Sequence, residues 1–395
     1  MVFDSVSRCL LVLVLSTGLL ACEKGPDENL LPPTILDFYE PADTIGAVVR
    51  IVGTQFSKKP ENNTVSFNGQ AATAFALRGD TLKVRVPRGA TTGPLTLRVY
   101  NQNTVSAVPF RVLLGRWRHR NALPPSPSQA NGFALNGKAY LYTQGSSDGF
   151  YSYDPSSNAW RRLPDFPGGA RGGMLSFALG GIGYMGAGIS NNGLNSHADC
   201  YAYDPATNQW TRVADFPGGN LDVRYTKAFA AGGKGYIVCT AWFNGQHPVW
   251  EYDPRTNTWM LKRDFPGVNR YLAGGMGIGN KGYVGGGTTG STPLLSDFWE
   301  YDPATDAWTR KADLPEVTES PVSYALGNKG YWGLRYQSGF YEYDPARNTW
   351  TLTAYYRGGK AFLGSAFTAG NKGYLLVPDI DGITHLKTDL WEFTP

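Results

Sequence analysis

YSYDPSSNAW (151–160), YAYDPATNQW (201–210), WEYDPRTNTW (250–259), WEYDPATDAW (299–308) and YEYDPARNTW (341–350) are five copies of one local plan: an aromatic strand, an Asp-Pro turn and a returning strand that carries Trp. Asp at the first turn position accepts a backbone N–H through its side chain, and Pro at the second presets φ for a type I turn. Each copy therefore reads as a β-hairpin. A sixth copy opens with WEFTP (391–395), and the Trp it needs stands far upstream, as Trp117 in GRWRHRNALP (115–124). The pattern predicts a circular array whose last unit is completed by a strand from its first segment.

A second marker keeps the same beat. Tyr140, Tyr184, Tyr236, Tyr283, Tyr331 and Tyr374 each follow a Gly-containing turn, as in GNKGY at 279–283 and 327–331. Both markers recur with a period of about 42–52 residues, so residues 114–395 read as six repeated units. Within a unit, an inner strand such as MLSFAL (174–179) turns into the GY strand. A variable loop follows, then the aromatic hairpin. One four-stranded sheet cannot hide both faces; radial stacking hides them, and closure removes the free edges.

Composition agrees with an all-β chain. Of 395 residues, 49 are Gly, and Trp (11), Tyr (23) and Phe (19) are abundant, a mixture suited to short aromatic strands and tight turns. No window carries a sustained helical period. The net charge of +4 is spread without blocks, which argues against a nucleic-acid partner. Residues 32–113 hold short alternating stretches, among them AVVRIVG (47–53), TLKVRVP (81–87) and LTLRVYN (95–101), separated by turn-formers; two facing sheets are the expected answer. Asp37, Glu40 and Asp43 read there as solvated turn residues. Residues 1–21 are set apart: Arg8, then the apolar run 9–21, then Cys22 and the breaker-rich stretch 23–33. That layout reads as an export signal, with residues 22–31 as a linker. Cys200 and Cys239 are too few to staple a fold, and their pairing is left open.

Several resemblances rest on these residues. Leu19-Leu20-Ala21-Cys22 resembles the bacterial lipoprotein signal, which implies lipidation of Cys22 and attachment to the cell envelope, the outer membrane being the expected place. The run PTILDFYEPADTIGAVVRIVGTQF with PRGATTGPLTLRVYN is similar to the IPT/TIG family of immunoglobulin-like domains. The GY strand with its YDP…W hairpin resembles kelch repeats, which implies a six-bladed β-propeller over 114–395. The combination looks like cell-envelope proteins of Bacteroidetes-type bacteria, and by that analogy implies a binding or scaffolding role toward glycan or protein ligands.

Residues that break the repeat are the candidates for function. Counting back from each GY tyrosine to the entry of the inner strand gives Ser128, Arg171, Arg224, Arg270, Glu319 and Ala361. Three guanidinium groups near one mouth suit a carboxylate or polyhydroxylated ligand, or else brace loops through carbonyls. In the loop 240–248, Trp242, Asn244 and His247 combine an aromatic face with hydrogen-bonding groups, a set suited to a sugar or peptide. The stretch DFPGGARGG (165–173) is reminiscent of kelch proteins similar to sialic-acid mutarotases. That likeness implies an alternative in which the arginines clamp an anion and Glu319 or His197 carries a proton. Four scattered His and no His-x-His pair argue against a copper radical oxidase, so neither a metal nor another cofactor is expected.

Overall fold

The computed structural model describes residues 31–123, 129–144, 148–190, 193, 195–218, 226–240, 246–290, 293–335, 337–358, 365–379 and 387–395. Among these, the only helical element is the short 3₁₀ turn Pro60–Asn62, and no helix is long and apolar enough to cross a membrane. The chain divides into two compact units. One holds the described residues up to Pro41 together with Val48–Phe110; the other holds Ala42–Ala47 and Arg111–Pro395.

The first unit is an immunoglobulin-like arrangement of strands. Thr34–Phe38, Val48–Thr54, Thr81–Arg85 and Ala76–Arg78 form one sheet in that order, and Gly93–Val99, Asn63–Phe67 and Gln70–Thr73 belong to a second. Alternation buries one side of each strand: Val49, Ile51, Val65, Leu82, Val84, Leu95 and Leu97 are fully enclosed. The short strand Ala42–Thr44 pairs in parallel with Arg111–Leu113, which is why the segment falls to the second unit. Asp37 and Asp43 each accept the N–H of the following residue, and Glu40 pairs with Arg50. Asp43 is buried, so the expectation of a solvated turn residue is corrected for that position.

The second unit contains six four-stranded antiparallel sheets of the kelch type among the described residues. Sheets 1 to 5 begin with the inner strands Gln129–Leu135, Leu175–Leu179, Thr226–Ala231, Gly274–Ile278 and Val322–Leu326, and each runs outward in chain order. Sheet 6 consists of Ser365–Ala369, Lys372–Asp379 and Lys387–Thr394, and its outer strand is Arg116–Arg120, with Trp117 opposite Phe393. Each inner strand packs beside the next, and Ser365–Ala369 packs beside Gln129–Leu135, where Ser365 Oγ donates to the Ala130 carbonyl.

Recurrent residues explain how neighbouring sheets lock together. The glycine of a GY pair leaves room for an inner side chain of the preceding sheet: a methyl group at Gly183 would fall 2.0 Å from Phe133, at Gly235 2.3 Å from Phe177, at Gly282 2.0 Å from Phe229 and at Gly330 2.5 Å from Met276. The hairpin turn does more than reverse the chain. The Asn or Asp before the Trp strand adopts a left-handed conformation at Asn158, Asn208, Asn257, Asp306 and Asn348. Each of these oxygens accepts the hydroxyl of its own sheet's tyrosine, as Asn257 accepts Tyr252 at 2.9 Å.

The same oxygen also reaches the preceding sheet's exit. Asn257 Oδ1 accepts the Ala214 N–H at 2.8 Å, and Trp259 Nε1 donates to the Ala214 carbonyl at 3.1 Å. Asp306 with Trp308 holds Arg263 in the same way, Asn348 with Trp350 holds Ala312, and Asn158 with Trp160 holds Asn121. The clasp is absent between sheets 5 and 6, where Trp117 Nε1 is buried without a hydrogen-bond partner, and also between sheets 1 and 2. There the residue to be held is Pro164, which has no N–H, and Trp210 Nε1 is buried without a hydrogen-bond partner.

Candidate functional site

Strand order puts the Gly-containing turns and the Asp-Pro turns at one end of the sheets and the long variable loops at the other. Arg171 and Arg270 lie at the loop end. Arg171–Gly172 pairs with Ile189–Ser190, and Tyr271 bridges to Thr288. Both arginine side chains turn inward. Arg171 donates to the Ala187 carbonyl at 3.3 Å, to the Gly168 carbonyl, and to both oxygens of Asp199 at 2.7 and 3.2 Å. Arg270 donates to Val268 and Gly286 carbonyls and to both oxygens of Asp297 at 2.7 and 2.6 Å.

Two guanidinium groups that are 2 % and 0 % exposed, each already paired with a carboxylate, have no face left for a ligand anion. The expectation of a guanidinium clamp is therefore corrected for Arg171 and Arg270: they brace the loops that follow the GY strands. Burial alone would raise the pKa of Asp199 and Asp297. Hydrogen bonds from the arginines, and from Trp299 to Asp297, outweigh it and hold both below the usual carboxylate range.

The repeat comparison identifies the third member of this set. Thr318 Oγ1 donates to the Leu334 carbonyl at 3.0 Å, the place taken by Arg171 on Ala187 and by Arg270 on Gly286. Thr318, not Glu319, thus occupies the arginine slot in sheet 5. Glu319 pairs instead with Arg335 at 2.9 Å, and Arg335 holds a left-handed backbone with φ of 78°. Sequence reading missed Asp199, Asp297 and Arg335. The signal for the first two was present, because Arg and Asp occur together in sheets 2 and 4 and are both replaced in sheet 5.

His197 is half-buried at the same end. Its Nε2 lies 2.8 Å from Ser190 Oγ and its Nδ1 4.0 Å from Asp199 Oδ1. Ser190, His197, Asp199 and Arg171 thus form one connected polar chain along a loop edge. His247 is different: it is buried, Nδ1 meets the Phe265 carbonyl at 3.2 Å, and Nε2 is enclosed without a partner. The expected exposed ligand contact at His247 is corrected to a packed residue against Phe265. Arg224, Trp242, Asn244 and Cys22 lie outside the described residues. Cys200 and Cys239 are buried free thiols, both raised to about 12 by burial. Among the described residues no group of His, Cys, Asp and Glu could hold a metal ion.

Comparison with known proteins agrees with the architecture. Residues 33–112 match the IPT/TIG domain, and residues 183–217 and 269–315 match the Kelch motif, so an IPT/TIG domain and a kelch-repeat region are both present. No curated protein matches the chain. A solved structure titled "Structure of YjhT" superposes with a TM-score of 0.56 at 16% identity, covering 69% of this chain and 95% of that one. At that identity the likeness establishes a shared fold alone. The chain joins an immunoglobulin-like IPT/TIG domain to a kelch-type β-propeller.

Proposed function

We propose that this chain is a lipid-anchored protein of the cell envelope whose second part is a closed, six-bladed propeller that binds a glycan or protein ligand at its loop end. Three features support the closed ring: Trp117 opposite Phe393, the Arg116–Arg120 strand on the edge of the last sheet, and the contact of that sheet's inner strand with Gln129–Leu135. Removal of residues 390–395 tests it, since an open ring exposes strand edges and is expected to aggregate.

The observation that carries the binding reading is the pair of buried Arg–Asp braces at the loop end. They stiffen the loops at both ends, and a rigid rim lowers the entropy cost of engaging a ligand. The test is calorimetric titration of candidates found by glycan and peptide arrays. Saturable binding that leaves the ligand chemically unchanged and is lost on Trp242→Ala supports the module; no ligand among sugars or peptides refutes it.

The mutarotase-like alternative keeps one supporting contact, the His197–Ser190 pair beside Asp199, because an imidazole so placed is able to move a proton. Faster anomer exchange of sialic acid, abolished by His197→Gln, would establish it. Anchoring at Cys22 and an outer-membrane location rest on the signal-like run before Cys22. Mass spectrometry of the N-terminal peptide, with release of the protein from membranes by Cys22→Ala, tests both.

A further inference from the structure

At the Asp-Pro turn end, sheets 3 to 6 repeat a three-residue bridge. Glu251 accepts Lys234 Nζ at 2.5 Å and the Tyr236 hydroxyl at 2.6 Å. Glu300 takes Lys281 and Tyr283 at 2.8 and 2.5 Å, Glu392 takes Lys372 and Tyr374 at 2.6 and 3.1 Å, and Glu342 takes Tyr331 at 2.7 Å with Lys329 at 3.9 Å. In each case the glutamate lies directly across the strand pair from the tyrosine. Sheet 2 has lost the bridge as a whole apart from Tyr184: Ile182 replaces the lysine and Ala202 the glutamate.

Sheet 1 alone keeps the two donors and drops the acceptor. Lys138 and Tyr140 are present, and the residue across from Tyr140 is Ser152. Lys138 Nζ turns to Asp154 at 2.9 Å and stays 47% exposed. No hydrogen-bond partner of the Tyr140 hydroxyl is found among the described residues. A cavity of about 300 Å³ opens where a glutamate side chain would lie, and its lining includes Lys138 with its partner Asp154, Tyr140, Ser152, Trp160, Arg161 and Asn208. Asn208 belongs to the hairpin that faces Pro164 without a clasp, so the second wall is also free of its usual contact.

We propose that this cavity binds a sugar-sized monocarboxylate whose carboxylate group takes the place of the missing glutamate. One oxygen accepts Lys138 Nζ and the other the Tyr140 hydroxyl, as Glu251 does with its own pair. Arg161 adds a second cation, Ser152 and Asn208 offer hydroxyl and amide partners, and the Trp160 ring gives a flat wall on which a pyranose stacks. The volume is at the small end of ligand pockets, which matches a single sugar acid. This site is at the opposite end of the sheets from the loops, so its fate is independent of the reading given above.

Calorimetric titration of the full chain with sodium glucuronate tests the proposal, with glucose as the uncharged control. Saturable glucuronate binding is expected, weakened at least about tenfold by Lys138→Met, since a charge-assisted contact is lost. Ser152→Glu is expected to abolish binding and to raise the melting temperature of the ligand-free protein, because it supplies the carboxylate internally. Absence of glucuronate binding, equal binding of glucose, or unchanged binding in Lys138→Met overturns the proposal. Should Ser152→Glu fail to fold, Lys138→Met and the glucose control decide alone.

Discussion

Asn257→Ala and Asn208→Ala remove the same atom from the same turn in two neighbouring sheets, and the clasp described above predicts unequal costs. Each substitution places alanine at a left-handed position, with φ of 52° at Asn257 and 57° at Asn208. Each also frees a buried tyrosine hydroxyl, Tyr252 or Tyr203. Those shared losses come to about 2 kcal/mol, roughly 1 for the backbone strain and 1 for the hydrogen bond. Asn257 additionally accepts the Ala214 N–H, whereas the residue facing Asn208 is Pro164 and donates nothing. The extra bond is worth about 1 kcal/mol, its donor being near the surface and able to find water. Asn257→Ala is thus expected to cost about 3 kcal/mol and Asn208→Ala about 2, a gap of roughly 2–4 °C in melting temperature for a unit of this size.

Near-UV circular dichroism melts of both variants in the full chain read the difference directly. Pro164→Ala sharpens the test by restoring the N–H: in that background Asn208→Ala should cost as much as Asn257→Ala. Equal costs with Pro164 in place, or no added cost after Pro164→Ala, would refute the view that the turn amide holds the neighbouring sheet.

Gly282→Ala forces a methyl group onto Phe229 and is expected to destabilise by about 1–3 kcal/mol; Ala139, the natural alanine at the equivalent place in sheet 1, should tolerate Ala139→Gly with a smaller change in melting temperature. Stability should fall steeply below about pH 4. At Glu251, Glu300 and Glu392 burial would raise the pKa, but the lysine and tyrosine contacts lower it on balance. Carboxylates with depressed folded pKa values stabilise above their unfolded value and lose that contribution as pH falls, so melts between pH 7 and 3 showing a flat profile would contradict the bridges. Cys200 and Cys239 should resist alkylation at pH 8 and react only on unfolding, as read by peptide mass; rapid native modification of either would show that its enclosure is wrong.

Much of the second unit was legible because its chemistry is repeated. The pairing of Trp117 with Phe393 followed from counting aromatic slots, and the Asp-Pro turn from its residues alone. The Asn before each Trp strand also recurs, yet its role depends on a partner in another sheet, which sequence spacing does not reveal. The arginine slot was misassigned in sheet 5 for a related reason. Counting back from Tyr331 gave Glu319, whereas hydrogen bonding to the Leu334 carbonyl picks Thr318. Arg171 and Arg270 were correctly singled out as departures, but sequence alone left open whether their charge faced a ligand or the chain. That choice depended on Asp199 and Asp297, each more than twenty residues away in sequence.

Departures from a repeat carry different weight according to whether they are compensated. In sheet 5 the Arg and its Asp vanish together, replaced by Thr318 and Gly339, so nothing is left unpaired by the change. Sheet 2 loses its lysine and glutamate together and keeps Tyr184 across from Ala202. Buried ring donors without a partner occur in several sheets, as at Trp117, Trp250 and Trp332, and two departures adjoin one cavity between sheets 1 and 2. Ser152 leaves the Tyr140 hydroxyl without the carboxylate that its counterparts have, while Lys138 turns to Asp154, and Pro164 leaves Asn208 without the backbone N–H that the other turns hold and Trp210 Nε1 without a partner. Their meeting at one interface is what an occupant would produce, since a bound carboxylate supplies the missing acceptor and needs the gap between sheets 1 and 2 to enter. By the same reasoning, closing the gap with Pro164→Ala should weaken glucuronate binding even though Pro164 offers the ligand no hydrogen bond. Binding unaffected by that change would mean that the two defects are neighbours by chance.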